Sequence, residues 1–148
     1  MTLTSTAFQN DTFIPIKYTC DDVGHNPPLT ISQIPKNAKS LVLMVKDPDA
    51  PHQTFTHWVV YNIPPSTMQI LEDQVPSDGI EGLNSVGQKG YVAPCPPSGT
   101  HRYVFSVYAL DTVLDVVPDP EQQEIQQAMQ NHVLDSAKIT GLYKKITQ

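Results

Sequence analysis

Leu41-Val42-Leu43-Met44-Val45-Lys46-Asp47-Pro48-Asp49-Ala50-Pro51 is the stretch on which the reading of this chain turns. Its five consecutive apolar residues are too short for a stand-alone core helix and describe a strand buried on both faces. The two prolines then stop the strand with a stiff turn. The same pattern recurs in Trp58-Val59-Val60-Tyr61 and in Val104-Phe105-Ser106-Val107-Tyr108-Ala109-Leu110. These runs predict three central strands. Residues 3–8, 29–34 and 137–144 read as additional strands, and their spacing without intervening helices predicts a mainly β protein. The expected architecture is a β-sandwich of antiparallel, Greek-key sheets with one short peripheral helix near the C-terminus.

That helix is expected over residues 120–135. Asp119 is placed as its N-cap, Pro120 suits the first helical position, and Gln122 completes a box-like pattern. Ile125, Ala128, Met129, His132 and Val133 then recur at helical spacing on one packing face. Residues 76–90 hold four glycines among Ser, Asp and Asn and read as a long surface loop.

At 148 residues the chain has the length of one domain, which would bury roughly 68–70% of its unfolded surface. Hydrophobic residues make up 39% and charged residues 16%, a balance that supports a core rather than disorder. The net charge of −6, with no basic run beyond Lys144-Lys145, repels nucleic acid and anionic membranes. No apolar run reaches the length of a signal peptide core or a membrane span, so a cytoplasmic protein without membrane insertion is expected. Cys20 and Cys95 are too few for a disulfide framework and lack zinc-site spacing. They are expected as buried or half-buried thiols.

Candidate chemistry gathers at the ends of the central strands. The Asp47–Pro51 turn precedes His57 within a few residues, and Pro94-Cys95-Pro96-Pro97-Ser98-Gly99-Thr100 delivers His101-Arg102-Tyr103 to the start of another strand. Proline fixes its own φ and restricts its neighbour, so both segments are stiff enough to frame a preformed pocket. These motifs resemble the phosphatidylethanolamine-binding protein family, in its small bacterial and archaeal, Raf-kinase-inhibitor-like branch. The resemblance spans nearly the whole chain, from Tyr18-Thr19-Cys20-Asp21 and Pro27-Pro28-Leu29 through Thr56–Pro64 to Asn131-His132-Val133-Leu134.

The resemblance implies a single domain over residues 1–148 with a pocket for small anions. Its walls would be Asp47, His57, Pro97, His101 and Tyr103, with Phe55 where eukaryotic members carry a tryptophan. Asp49 and Pro51 would shape the turn beneath. Because the chain ends soon after Tyr143, the C-terminal helix of longer eukaryotic members is expected to be missing and the pocket mouth open. Both cysteines fall near the pocket side, which makes a redox-sensitive pair the alternative to inert thiols.

An aspartate accepting from a histidine ring nitrogen fixes its tautomer and favours its charged form. Asp47 is therefore expected to aim a charged histidine, with His57 and His101 both donating to the ligand. The Tyr103 hydroxyl and backbone N–H groups near Ser98, Gly99 and Thr100 are expected to add donors. Arg102 is placed on the opposite side of its strand, bracing the turn, and Asp49 is expected to cap turn N–H groups. His25 and His52 are expected to be solvated.

The expected function is non-catalytic binding of a phosphate- or carboxylate-bearing ligand, with a protein kinase or protease as the partner that the resemblance implies. No cofactor or metal is called for, and a homodimer is left open. The competing reading is a hydrolase built on the same groups. It would use either a metal on Asp47, Asp49, His52, His57 and His101, or a Cys95 thiol beside His101.

Overall fold

In the computed structural model, which describes residues 1–146, the elements follow in the order β1 (Thr2–Thr4), β2 (Thr12–Phe13), β3 (Leu29–Ser32), β4 (Ser40–Asp47), β5 (Phe55–Ile63), β6 (Gln69–Ile70), β7 (Ile80–Glu81), β8 (Thr100–Leu110), α1 (Gln122–Met129) and β9 (Val133–Lys144). Strands β4, β5 and β8 are the three predicted apolar runs, β4 and β5 extended at both ends and β8 at its start, and β9 is the expected flanking strand 137–144 extended back to Val133. They form a six-stranded sheet in the order β2-β9-β8-β4-β5-β7, and β1-β3-β6 make a second, smaller sheet. Every ladder is antiparallel except the short parallel pairing of β2 with β9, so the large sheet is mixed at that edge.

Strand alternation divides the core in two. Leu41, Leu43 and Val45 of β4, Tyr103, Phe105 and Val107 of β8, and Ile139 and Tyr143 of β9 face inward. There they pack with Leu3, Leu29, Ile31 and Ile70 of the small sheet. Val42 and Met44 face the other way and are covered with Val59, Tyr61 and Leu110 by Ile125 and Met129 of α1. The sandwich is thus one sheet packed on another, with a single helix over part of the outer face.

The helix is shorter than the periodicity predicts. Asp119 takes a left-handed φ of 57°, which excludes it as the extended N-cap. The cap is Glu121, in extended backbone, with a reciprocal capping box to Glu124. The chain leaves the helix at Gln130, Asn131 turns at φ 68°, and Val133 already starts β9. His132 therefore does not pack on the sheet. Its Nδ1 lies 2.7 Å from the Asp111 carboxylate on a part-exposed surface.

The flanking strands are also trimmed, to Thr2–Thr4 and Leu29–Ser32. Residues 76–90 are not all loop, since Ile80–Glu81 forms an edge strand and Leu83 bridges Lys89. Asn84 holds that segment closed, giving its amide to the Gly90 carbonyl and accepting from Val86 and Gln88.

Ile125 is fully buried and is the chief apolar link between α1 and the sheet. Ile125→Ala is expected to cost about 2–5 kcal/mol, lowering the urea midpoint at constant slope. The exposed Gln126→Ala is expected to change it by less than about 0.5 kcal/mol.

Candidate functional site

Beside Tyr103 on the inward face lies a cavity of about 250 Å³, none of whose lining comes from the small sheet. It is lined by Asp47 from β4, Phe55 and His57 from β5, and His101 and Tyr103 from β8, together with Ala50-Pro51, Val92-Ala93 and Cys95-Pro96-Pro97. All six residues expected to touch ligand are therefore brought together, from segments as distant as 47 and 103.

A strand irregularity makes this possible. Val45 pairs with Trp58, yet Lys46 pairs with Thr56, so the ladder skips His57. Such a bulge places two successive side chains on one face. Trp58 enters the inner core, where its indole N–H donates to Glu81 at 2.8 Å, and His57 enters the cavity beside it.

The two histidines are held differently, and only His101 is held by Asp47. His101 Nδ1 donates to Asp47 Oδ2 at 2.7 Å, and both side chains are buried. Asp47 Oδ1 accepts from the backbone N–H of Asp49 at 2.8 Å, so the carboxylate is fixed at both oxygens. The turn is thus capped by Asp47, not by Asp49.

His57 Nδ1 donates to the Val92 carbonyl at 2.7 Å, and the Val92 N–H donates to the His57 carbonyl at 2.8 Å. A carbonyl can only accept, so Nδ1 carries the proton and neutral His57 presents Nε2 as an acceptor. Burial pushes the His57 pKa down, against the upward pull of the Val92 carbonyl and of Asp47. Near neutral pH His57 is consequently neutral rather than charged. Val92, which clamps this tautomer, carries no sequence signal, because its role depends on how an irregular segment lies along β5.

Tyr103 lies between the two imidazoles, edge-on to His57 at 5.2 Å between centroids and stacked with His101 at 6.5 Å. Its hydroxyl is buried without a hydrogen-bond partner among the described residues. Burial, reinforced by the Asp47 charge, pushes its pKa well above the usual phenol value, so it remains a neutral donor. A buried orphan hydroxyl is costly unless something supplies its partner, and it sits on the wall of a cavity. Phe55 packs against His57 at 4.7 Å, and Pro51, Pro96 and Pro97 complete apolar walls that strengthen any hydrogen bond made inside.

Behind the turn, Arg102 grips Asp49 with its backbone N–H, Nε and Nη2 at 2.8, 2.9 and 2.8 Å. This bidentate clamp joins the start of β8 to the proline turn, as expected for Arg102. It also replaces the capping role expected for Asp49. The backbone near Ser98, Gly99 and Thr100 does not contribute, since these residues are exposed and lie outside the cavity lining.

Several expectations fall here. Cys20 and Cys95 are joined in a disulfide and are solvent-exposed, not buried thiols. A Cys95 nucleophile beside His101 is thereby ruled out for this form. The proposed metal set does not converge either, because His52 is exposed at φ 75° and Asp49 is committed to Arg102. Among the described residues no cluster of three or more His, Cys, Asp or Glu side chains is placed to hold an ion. His25 is half-buried and 3.6 Å from Asp73, not fully solvated. No helix among the described residues is long and apolar enough to cross a membrane.

The Arg102 clamp holds the Asp49 carboxyl at about 2, well below its ordinary value. In Arg102→Ala, NMR titration is expected to show Asp49 returning toward about 3.9. The sign follows from the depressed value. The pair favours folding above about pH 4, and that contribution fades as pH falls toward 2.

Comparison with known proteins identifies the family and the fold. The family model of phosphatidylethanolamine-binding protein matches residues 4–144. A UPF0098 protein of Methanothermobacter thermautotrophicus is 47% identical over 151 residues, covering 98% of this chain and 99% of its own length. A UPF0098 protein of Aquifex aeolicus is 43% identical over 98% of this chain and 89% of its own. Among solved structures, the phosphatidylethanolamine-binding protein homolog CT736 of Chlamydia trachomatis superposes with a TM-score of 0.93 at 42% identity, over 97% of both chains. YbcL of E. coli, described as a member of the mammalian family, superposes at 0.90 with 28% identity, over 97% of this chain and 98% of its own. The chain belongs to the phosphatidylethanolamine-binding protein family.

Proposed function

We propose that the protein binds a small oxyanion, either a phosphate monoester or a carboxylate, in the cavity between His57 and His101, without turning it over. The observation that carries this reading is the set of groups left unused around Tyr103. The Tyr103 hydroxyl has no partner, and each imidazole spends Nδ1 on the protein, leaving Nε2 for an occupant. A singly protonated phosphate offers what this set lacks. Its oxygens accept from Tyr103 and from His101 Nε2–H, and its hydroxyl donates to neutral His57 Nε2.

The cavity suits a headgroup rather than a whole lipid, given its volume of about 250 Å³. The acidic exterior means that the site must act at short range, through hydrogen bonds and the proton that His57 takes up, rather than by long-range attraction. The hydrolase reading finds no comparable support, since among the described residues there is no free thiol and no ion-binding cluster. Modulation of a kinase or protease partner would follow if the cavity captured a phosphorylated or carboxylate-bearing group of that partner. O-Phosphorylethanolamine would then compete with it.

Because burial holds His57 neutral, an anion entering the cavity favours its protonated form, and affinity should rise as pH falls. Calorimetric titration of O-phosphorylethanolamine at several pH values is expected to show weakening as pH rises through the histidine range. Flat or absent binding contradicts the proposal. His101→Ala is expected to weaken binding roughly 10–100-fold, the worth of a hydrogen bond to a charged group, while His132→Ala leaves it unchanged.

The unliganded protein should behave oppositely with pH. A depressed histidine favours folding above about 6.5 and loses that contribution as pH drops through its folded value. Phosphate is thus expected to raise Tm most at the acidic end, measured by differential scanning fluorimetry.

A further inference from the structure

The Cys20–Cys95 bond borders the cavity just described. Cys95 lines it, between Pro94 and the wall residues Pro96 and Pro97, and both cysteines are solvent-exposed. An exposed disulfide is open to attack by a thiolate, and such bonds are the labile ones. What the bond holds is more telling. Val92 is pinned to His57 by two hydrogen bonds, and Pro94 accepts from the Cys20 N–H at 3.1 Å. Beyond that point, among the described residues, no hydrogen bond ties the backbone or side chains of residues 95–99 to the rest of the protein. Pro96 and Pro97 have no N–H to offer, and Pro96 contributes packing alone.

The far anchor is firm by contrast. Cys20 adjoins Asp21, whose carboxylate accepts from the Tyr143 hydroxyl and from the Ile146 N–H. Tyr143 is itself buried in the inner core. The disulfide therefore moors a loose proline wall to a fixed point.

We propose that Cys20–Cys95 is a thiol–disulfide exchange site, taking a small-molecule or protein dithiol, and that its reduction switches off the oxyanion cavity by releasing the Cys95–Pro97 wall. In the exchange, one thiolate of the dithiol attacks a sulfur of the pair, forming a mixed disulfide and expelling the other cysteine as thiolate. The second thiol of the reductant then displaces the first cysteine. The products are two protein thiols and one oxidised, cyclic disulfide, so two electrons and two protons pass to the protein. With the wall free, only a fraction of molecules hold Pro96 and Pro97 in place, and apparent affinity falls by that fraction. By reciprocity, an occupied cavity resists reduction. The switch rests on the oxyanion reading, and its test separates the two.

Inorganic phosphate and O-phosphorylethanolamine are titrated into the oxidised protein, the dithiothreitol-reduced protein and Cys20→Ser/Cys95→Ser. Amide hydrogen exchange at Cys20 and Val92 is followed in the oxidised and reduced forms. The expected result is about tenfold weaker binding on reduction, matched in the double variant. Exchange should be faster at the Cys20 amide while the core amides of β4 and β8 remain protected. Saturating O-phosphorylethanolamine should slow reduction several-fold. Equal affinities in both forms, or unchanged exchange at Cys20, overturn the switch while leaving the cavity reading intact. Loss of core protection on reduction also overturns it, making the bond a staple of the whole fold. Absence of binding in both forms overturns the cavity reading instead, and the Cys20 exchange rate then decides whether the bond governs the wall.

Discussion

The buried hydrogen bond from His101 to Asp47 is the constraint on which the site depends. A carboxylate placed under an apolar cavity would on its own repel every anion and would be expensive to bury. Here one oxygen is capped by the Asp49 N–H and the other accepts from His101, so its charge is spent on fixing the turn and orienting the ring. The rest of the neighbourhood protects that arrangement. Arg102 locks the turn from outside through Asp49, and the ladder of β4 with β8 sets the height of His101 against Asp47.

His57 contributes by a different route. A bulge in β5 turns it to the same side as Trp58, and the exchange of bonds with Val92 settles which ring nitrogen is protonated. The cavity thus holds one imidazole backed by a carboxylate and one backed by a carbonyl, with a phenol between them. Such a pair is asymmetric in donors and acceptors, which favours an occupant that can both accept and donate over a fully deprotonated one. The segment that clamps His57 continues directly into the proline wall and the disulfide, so tautomer control and wall position share one short stretch of chain.

Much of this was legible in the residues. The apolar runs located three of the four long strands, the family resemblance of the Asp-Pro-Asp and His-Arg-Tyr motifs pointed to the residues that line the cavity, and strand alternation pointed to Arg102 bracing the turn from outside. What stayed hidden depended on tertiary register. Strict alternation puts His57 and Trp58 on opposite faces, and only the bulge in the ladder brings them together. The helical stripe through His132 and Val133 was a true periodicity that the chain does not use, because Asn131 turns and β9 takes over. The cysteines, separated by 75 positions, could be suspected as a pair only through the family resemblance, since their 5.4 Å Cα separation exists only once the fold brings the two segments side by side. Val92 illustrates the general limit, as its part is played by backbone atoms that every residue possesses.

The most direct measurement of the central claim is ¹⁵N NMR of the histidine rings on addition of inorganic phosphate near neutral pH. His57 and His101 are expected to move together, with His57 Nε2 passing from an unprotonated to a hydrogen-bonded or protonated signal, while His25, His52 and His132 remain in place. Ring signals of His57 and His101 that do not respond to saturating phosphate would contradict an oxyanion site between them.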